Sequence, residues 1–321
     1  METKNVLLAV ENLKTQFFTY GGVVEALDEV SFDIIEGEVF GLVGESGCGK
    51  SVTASSILGL VQKPGKVISG RVLLNGEDLL QKTEKEMNAI RGSRISIIFQ
   101  DPTSSLNPVF QIGYQVAEPY IYHQGKPKKA AARDALKILS QTGLPDPADK
   151  ARNYPHELSG GMRQRAMIAM ALTCEPDLLI ADEPTTNLDV TIERQILNLI
   201  KDLQEEFGTS VLWITHNLGV IAQICDRVAV MYAGSIVEQA DVRMLFHNPQ
   251  HPYTQKLLKA IPADSSGEEL DEIPGSVPRL INPPSGCRFH PRCDQVTFVC
   301  SEKKPTECEV GPGHTVACHL F

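Results

Sequence analysis

An α/β fold with a largely parallel central sheet is the class this sequence predicts, on three observations. First, the pattern G-x-x-x-x-G-K-S occupies residues 44–51 in "GLVGESGCGKS", directly between an apolar run and the helical-looking "VTASSILGL". Second, the strand-like runs "DLLIADEP", "SVLWITH" and "RVAVMYAG" are separated by a long amphipathic segment, "TIERQILNLIKDLQEEFG". That alternation is the rhythm of parallel strands joined by crossover helices. Third, 321 residues with 42% hydrophobic content can bury one large core and leave room for about two domains.

The elements follow in order. The opening third alternates β-rich runs with turns, in "NVLLAVENL", "VSFDIIEGEVFGLVG" and "GRVLLNGEDLL", where Asn75-Gly76 is a hairpin signal. In the middle, residues 130–140 carry apolar residues at helical spacing, and "MRQRAMIAMALTC" reads as a second helix. Gly208 closes the long helix that precedes "SVLWITH". After about Phe246 proline becomes frequent and the regular pattern fades. The expected boundaries are a main domain over 1–246 with a helical part at about 101–172, then an extension over 247–321 whose Cys-rich segment is 285–321.

Composition narrows the function. A net charge of -10 disfavours nucleic acid and acidic lipid as main partners, because both are recognised chiefly through Lys and Arg. No run approaches the ~20 apolar residues that span a bilayer, and "METKNVLLAVENLK" lacks a signal-peptide core. A cytosolic chain is expected. Thiols stay reduced there, so clustered cysteines among its eight read as ligands sooner than as disulfide halves.

The 44–51 motif specifies a phosphate cradle. Backbone N–H groups from Gly44, Ser46, Gly47, Cys48, Gly49 and Val52 can face phosphate oxygens, the helix start adds positive dipole, Lys50 reaches the β- and γ-phosphates and Ser51 can ligate Mg²⁺. "DLLIADEP" ends a strand in two carboxylates: Asp182 is placed to hold Mg²⁺ through water and Glu183 to polarise an attacking water. An acidic pair alone could equally open a helix. In "ELSGGMRQR", Ser159, Gly160 and Gly161 make a second anion-binding helix start, although "SGG" alone would be an ordinary cap.

Together these motifs resemble the nucleotide-binding subunits of ABC transporters: Walker A "GESGCGKS", a Q-loop in "IIFQDP", the signature "LSGGM", Walker B "LLIADE", a D-loop "NLD" and a switch histidine in "WITHN". The resemblance covers roughly residues 5 to 246. It implies an ABC-type nucleotide-binding domain, made of a P-loop core with a parallel sheet, an antiparallel β subdomain and a helical subdomain. It further implies that Tyr20 stacks on adenine, that Gln100 binds Mg²⁺ or water and reports to membrane subunits, that His216 contacts the γ-phosphate, and that Asp189 lies at a dimer seam. Met162 stands where many members have Gln, and "TNLD" replaces the commoner "SALD". Within the family, "NPQHPYTQKLLKAIP" and the cysteine-rich end resemble importers of dipeptides and oligopeptides, with nickel importers as near relatives. That implies a second, non-identical ATPase subunit, two permease subunits, an external solute-binding protein and a place on the cytoplasmic face of the membrane. A soluble ABC ATPase acting on DNA or ribosomes would need a coiled-coil insertion or a second cassette, and an iron-sulfur redox protein would not need the complete hydrolytic set.

Five cysteines crowd the end of the chain. Cys287, Cys293, Cys300 and Cys318 have the spacing C-x5-C-x6-C-x17-C, in a stretch too poor in apolar residues to fold on a core of its own. Cys308, between Glu307 and Glu309, is set aside as the poorer ligand. The spacing lacks the close pairs of zinc sites, and the resemblance to the peptide importers also implies iron-sulfur, so a [4Fe-4S] cluster is expected, with Zn²⁺ as the alternative and four unligated thiols the remaining reading.

Overall fold

The computed structural model describes residues 5–186, 189–260 and 273–321. Its strands, in chain order, are β1 (Val6–Thr19), β2 (Gly22–Ile35), β3 (Val39–Val43), β4 (Gly65–Leu74), β5 (Glu77–Asp78), β6 (Ile95–Ile98), β7 (Leu178–Asp182), β8 (Ser210–Thr215), β9 (Arg227–Tyr232), β10 (Ser235–Asp241), β11 (Cys308–Gly311) and β12 (His314–Val316). The chain divides into two compact units. One takes the residues up to Leu7, Ile35–Glu38 and Gln81–Leu212; the other takes Leu8–Ile34, Val39–Leu80 and Trp213–Phe321.

In the first unit β6 lies parallel to β7, with Ile95 opposite Leu178 and Ile98 opposite Ala181. Every residue of β7 is buried, as expected of a parallel strand covered on both faces. Helices Ile112–Tyr122, Lys128–Gln141 and Gly160–Leu172 bury Ile112 and Val116, Ala131, Ala135, Ile138 and Leu139, and Met167, Ile168 and Leu172. Helix Val190–Phe207 buries a single stripe, Ile196, Leu197, Leu199, Ile200 and Leu203, and stops at Gly208, whose φ of 66° is the left-handed cap position that glycine occupies without strain. β8 begins in this unit.

The second unit contains an antiparallel sheet in the order β2-β1-β4-β5. Leu8 pairs with Leu74, and Asn75 and Gly76 both take positive φ in the β4–β5 turn, the hairpin geometry their sequence announces. Beside it β3, wholly buried, runs parallel to β9, and β9 is followed by antiparallel β10.

The extension is more regular than its sequence suggests. Helices Val242–His247 and Pro252–Lys259 follow β10, and β12 pairs antiparallel with β10, placing Val316 opposite Glu238. Phe289, 1% exposed, packs its ring 5.1 Å from Tyr232 and 5.3 Å from Tyr253, while those two rings lie 4.6 Å apart. The core that the tail lacks in its own composition is supplied by Tyr232 at the end of β9 and by Tyr253 in helix Pro252–Lys259.

Candidate functional site

The phosphate loop belongs to the second unit, between β3 and helix Lys50–Ile57. Two of its glycines are sterically required. A Cβ on Gly44 would collide with the Met231 carbonyl, and Gly49, at φ 114°, would place a Cβ 2.8 Å from the Ala26 carbonyl oxygen. Gly49 caps the helix, so the chain turns sharply and its next N–H groups point outward along the helix start. Lys50 is buried in the loop, and its Nζ donates to the carbonyls of Gly44 (2.8 Å) and Glu45 (3.1 Å). Ser46, Gly47 and Ser51 are exposed, while Val52 is half-buried. The Cys48 thiol is fully buried and desolvation pushes its pKa up, so it takes no part as a thiolate. A rigid ring of backbone around an ammonium held on carbonyl dipoles is a fit for phosphate oxygens.

The first unit carries the carboxylates. Asp182 ends β7 and is buried; Glu183 follows it with φ 46°, a left-handed backbone that aims the side chain away from the strand line. Gln100 Nε2 donates to Glu183 Oε2 at 2.9 Å, and Thr186 Oγ1 donates to the same oxygen at 3.1 Å. The structure therefore brings together two residues 83 positions apart that sequence motifs had named separately. Thr186 was missed; its place three residues after Glu183, in the turn that closes the strand, was the available signal. Ser159 caps helix Gly160–Leu172 by accepting from Met162 N, and a Cβ on Gly160 would meet nothing within 4 Å, so the helix start is open. Asp189 caps helix Val190–Phe207, accepting from Ile192 N at 2.9 Å; Asn187 and Leu188 of the D-loop lie outside the described residues. Back in the second unit, Tyr20 projects fully into solvent at the β1–β2 turn and His216 is exposed just after β8.

The cluster expected at the tail is corrected. Among the described residues, no group of three or more His, Cys, Asp or Glu side chains is placed to hold a metal ion, which overturns both the [4Fe-4S] centre and its zinc alternative. The physical reason is that the tail is tied down by other means. Phe289 fills a pocket between tyrosine rings, and Cys287 N donates to the Cys300 carbonyl at 2.8 Å. Cys300 Sγ lies 3.2 Å from Thr297 Oγ1, and the Cys308 thiol donates to the Val316 carbonyl at 3.3 Å. Burial raises the pKa of Cys287, Cys293 and Cys318, that of Cys287 to about 11.

Sequence reasoning also missed three residues around the phosphate loop. Arg292 forks onto Glu45, with NH1 2.9 Å from Oε1 and NH2 3.2 Å from Oε2, and Glu45 N donates to Tyr253 Oη at 3.1 Å. Separations of 247 and 208 residues leave no local signal for such pairs.

A phosphate loop after a buried strand, a carboxylate pair at a parallel strand's end and a capped "SGG" helix define an ATP-binding cassette. The family model described as ABC transporter matches residues 27–186, and that described as Oligopeptide/dipeptide transporter, C-terminal region, matches residues 237–300. The chain is 51% identical to the dipeptide transport ATP-binding protein DppD of Bacillus subtilis, over 98% of this chain and 94% of that one. It is 46% identical to the oligopeptide transport ATP-binding protein OppD of Salmonella typhimurium, over 98% and 93%. A solved ATP-binding cassette, MJ0796 in a dimeric post-hydrolysis state bound to ADP and Pi, superposes with a TM-score of 0.67 at 28% identity, covering 74% of this chain and 99% of that one. The chain belongs to the ABC transporter family, among the ATP-binding subunits related to dipeptide and oligopeptide transport proteins, and it is an ATPase. No helix among the described residues is long and apolar enough to cross a membrane.

Proposed function

We propose that this chain is the ATP-hydrolysing subunit that powers import of dipeptides or oligopeptides through separate membrane permeases. The observation that carries the proposal is the end-to-end similarity to dipeptide and oligopeptide transport ATP-binding proteins, which includes the C-terminal region and not only the cassette. In this reading Lys50 and the backbone of residues 44–52 hold the β- and γ-phosphates, and Tyr20 stacks on the adenine. Ser51, Gln100 and Asp182 would hold Mg²⁺, which supplies neutralising charge at the phosphates. Glu183 orients the attacking water and accepts its proton. The hydrogen bonds that Gln100 and Thr186 donate to Oε2 support that role by holding the carboxylate in one orientation. His216 contacts the γ-phosphate. Ser159, Gly160 and Gly161 complete the site of a partner cassette, with Asp189 at the seam, so hydrolysis requires two subunits. The helix start at Gly160, open to solvent, is consistent with that use.

The partners follow from the same reading. A second, non-identical ATPase subunit forms the dimer, two permeases span the membrane, and an external solute-binding protein delivers the peptide. The subunit then sits on the cytoplasmic face. Exposed Phe99, Val109, Phe110 and Tyr114, all near Gln100 in sequence, are apolar side chains suited to a permease contact. The test is uptake by the reconstituted complex, comparing dipeptides, longer peptides and nickel. Peptide uptake coupled to ATP hydrolysis is expected; nickel uptake without peptide uptake would reject the substrate class.

A further inference from the structure

Glu45 is a junction. Its carbonyl accepts from Lys50 Nζ at 3.1 Å and from Cys48 N at 3.3 Å, so its backbone position sets where the loop's ammonium sits. The other two contacts of the same residue come from the C-terminal extension. Tyr253 Oη accepts from Glu45 N, and Arg292 holds both carboxylate oxygens.

Arg292 is built for this. The side chain is 6% exposed, and its remaining donors are occupied: Nε by the Pro274 carbonyl (2.9 Å), NH2 by the Ile273 carbonyl (3.2 Å) and NH1 by Tyr232 Oη (3.3 Å). Lys256 Nζ donates in turn to the Arg292 carbonyl at 3.2 Å. A planar fork saturated in this way has one orientation available, and it matches a carboxylate bidentately. The extension also grips the loop from a second direction. Arg288 NH1 donates to the Ala233 carbonyl, and the next residue, Gly234, donates its N–H to the Cys48 carbonyl at 2.8 Å.

Packing alone does not require these contacts. Phe289 between Tyr232 and Tyr253 already anchors the extension, whereas Arg292 spends a nearly buried charge on a loop residue that is not part of that aromatic core. A charged, two-pronged contact that lands on the backbone junction of a phosphate loop has a positional effect. We propose that the C-terminal extension is a clamp that presets the phosphate loop for nucleotide, with Arg292 as the positioning residue acting through Glu45 and Tyr253 as its second support. The inference rests on the reading of residues 44–51 as the phosphate loop. It adds that the affinity of this loop is set in part by a segment that starts about two hundred residues further along the chain. Displacing the extension would then lower nucleotide affinity while leaving Glu183 and its partners unchanged.

The experiment uses the full chain, with binding of MgADP and MgATP followed by fluorescence and the KM and kcat for ATP measured in the assembled complex. Arg292→Lys keeps the charge and loses the fork; it is expected to weaken nucleotide binding about fivefold with kcat nearly retained, a loss measured at a temperature where the variant is fully folded and larger than any fall in its nucleotide-free melting temperature accounts for. Glu45→Gln should weaken nucleotide binding to a similar degree, and the double variant should bind no worse than either single, because both remove one interaction. Tyr253→Phe keeps the ring packing and should weaken binding in the same direction. Unchanged binding in Arg292→Lys, strictly additive effects in the double variant, or weakening that merely tracks a fall in melting temperature would each overturn the clamp. Lys50→Ala separates the two readings. Binding that survives it sinks the phosphate-loop assignment and the clamp together, whereas binding lost in Lys50→Ala and unmoved in Arg292→Lys overturns the clamp alone.

Discussion

His314 Nε2 and Glu238 Oε1 meet at 2.8 Å with both side chains withdrawn from solvent. Glu238 also accepts from the backbone N–H groups of Gln250 (2.7 Å) and His251 (2.9 Å), so one carboxylate of β10 gathers the last strand and the start of helix Pro252–Lys259. Non-covalent ties of this kind hold the extension where its composition had suggested a metal. Glu238→Ala would strand three buried donors and is expected to lower stability by about 3 kcal/mol, read as an earlier urea midpoint at unchanged slope. A midpoint equal to wild type would show that the carboxylate is dispensable.

Acid sensitivity should trace to His251. Its Nδ1 accepts from Tyr253 N at 3.0 Å, its Nε2 is buried with no hydrogen-bond partner found among the described residues, and burial depresses its pKa from 6.5 to about 3. The unfolded chain therefore takes up a proton near pH 6.5 that the folded chain refuses until about pH 3. The stability involved is fully present above 6.5 and is lost progressively as pH falls toward 3. His251→Asn keeps an acceptor for Tyr253 N without an ionisable ring, so its loss of stability between pH 7 and pH 5 should be smaller than that of wild type in urea melts. Equal losses would assign the acid sensitivity elsewhere.

On the proposed roles, in which the Glu183 carboxylate acts on water while residues 44–52 hold the phosphates, Glu183→Gln should bind ATP as wild type does and turn it over about 10² to 10⁴ times more slowly in the assembled complex. Single-turnover assays with radiolabelled ATP read this directly, and near-normal hydrolysis would remove Glu183 from the mechanism.

If the proposed two-subunit site is right, with the "LSGG" helix start supplied by a partner, the purified chain alone should hydrolyse ATP slowly. Adding the second ATPase and the permeases should raise the rate; a chain that runs as fast alone as in complex would contradict the two-subunit site.

The legible parts of this molecule are those whose physics is local. The 44–51 spacing, the left-handed pair Asn75-Gly76 and the cap at Gly208 each encode a backbone shape within a few residues, and each takes that shape. Gln100 and Glu183 were identifiable one at a time through their motifs, while their hydrogen bond needed the parallel pairing of β6 with β7. The extension was misread because its order is borrowed. "CEVGPGHTV" is too short and too glycine-rich to read as two strands, and becomes so only when Thr315 and Val316 pair with Gln239 and Glu238 of β10. The cysteines dominated the reading of that segment, whereas Phe289, Arg288, Arg292 and His314 do the anchoring.

The pairing of β12 with β10 also decides which backbone is left unpaired. Without the last residues, β10 would lose its partner at Glu238 and Gln239 and present an open edge, a template for recruiting other chains into aggregates. With them, that role passes to β11, four residues long and carrying Glu309, a poor template for further growth. Chains truncated before His314 should therefore fail first by self-association in the cell, before any loss of catalysis is seen.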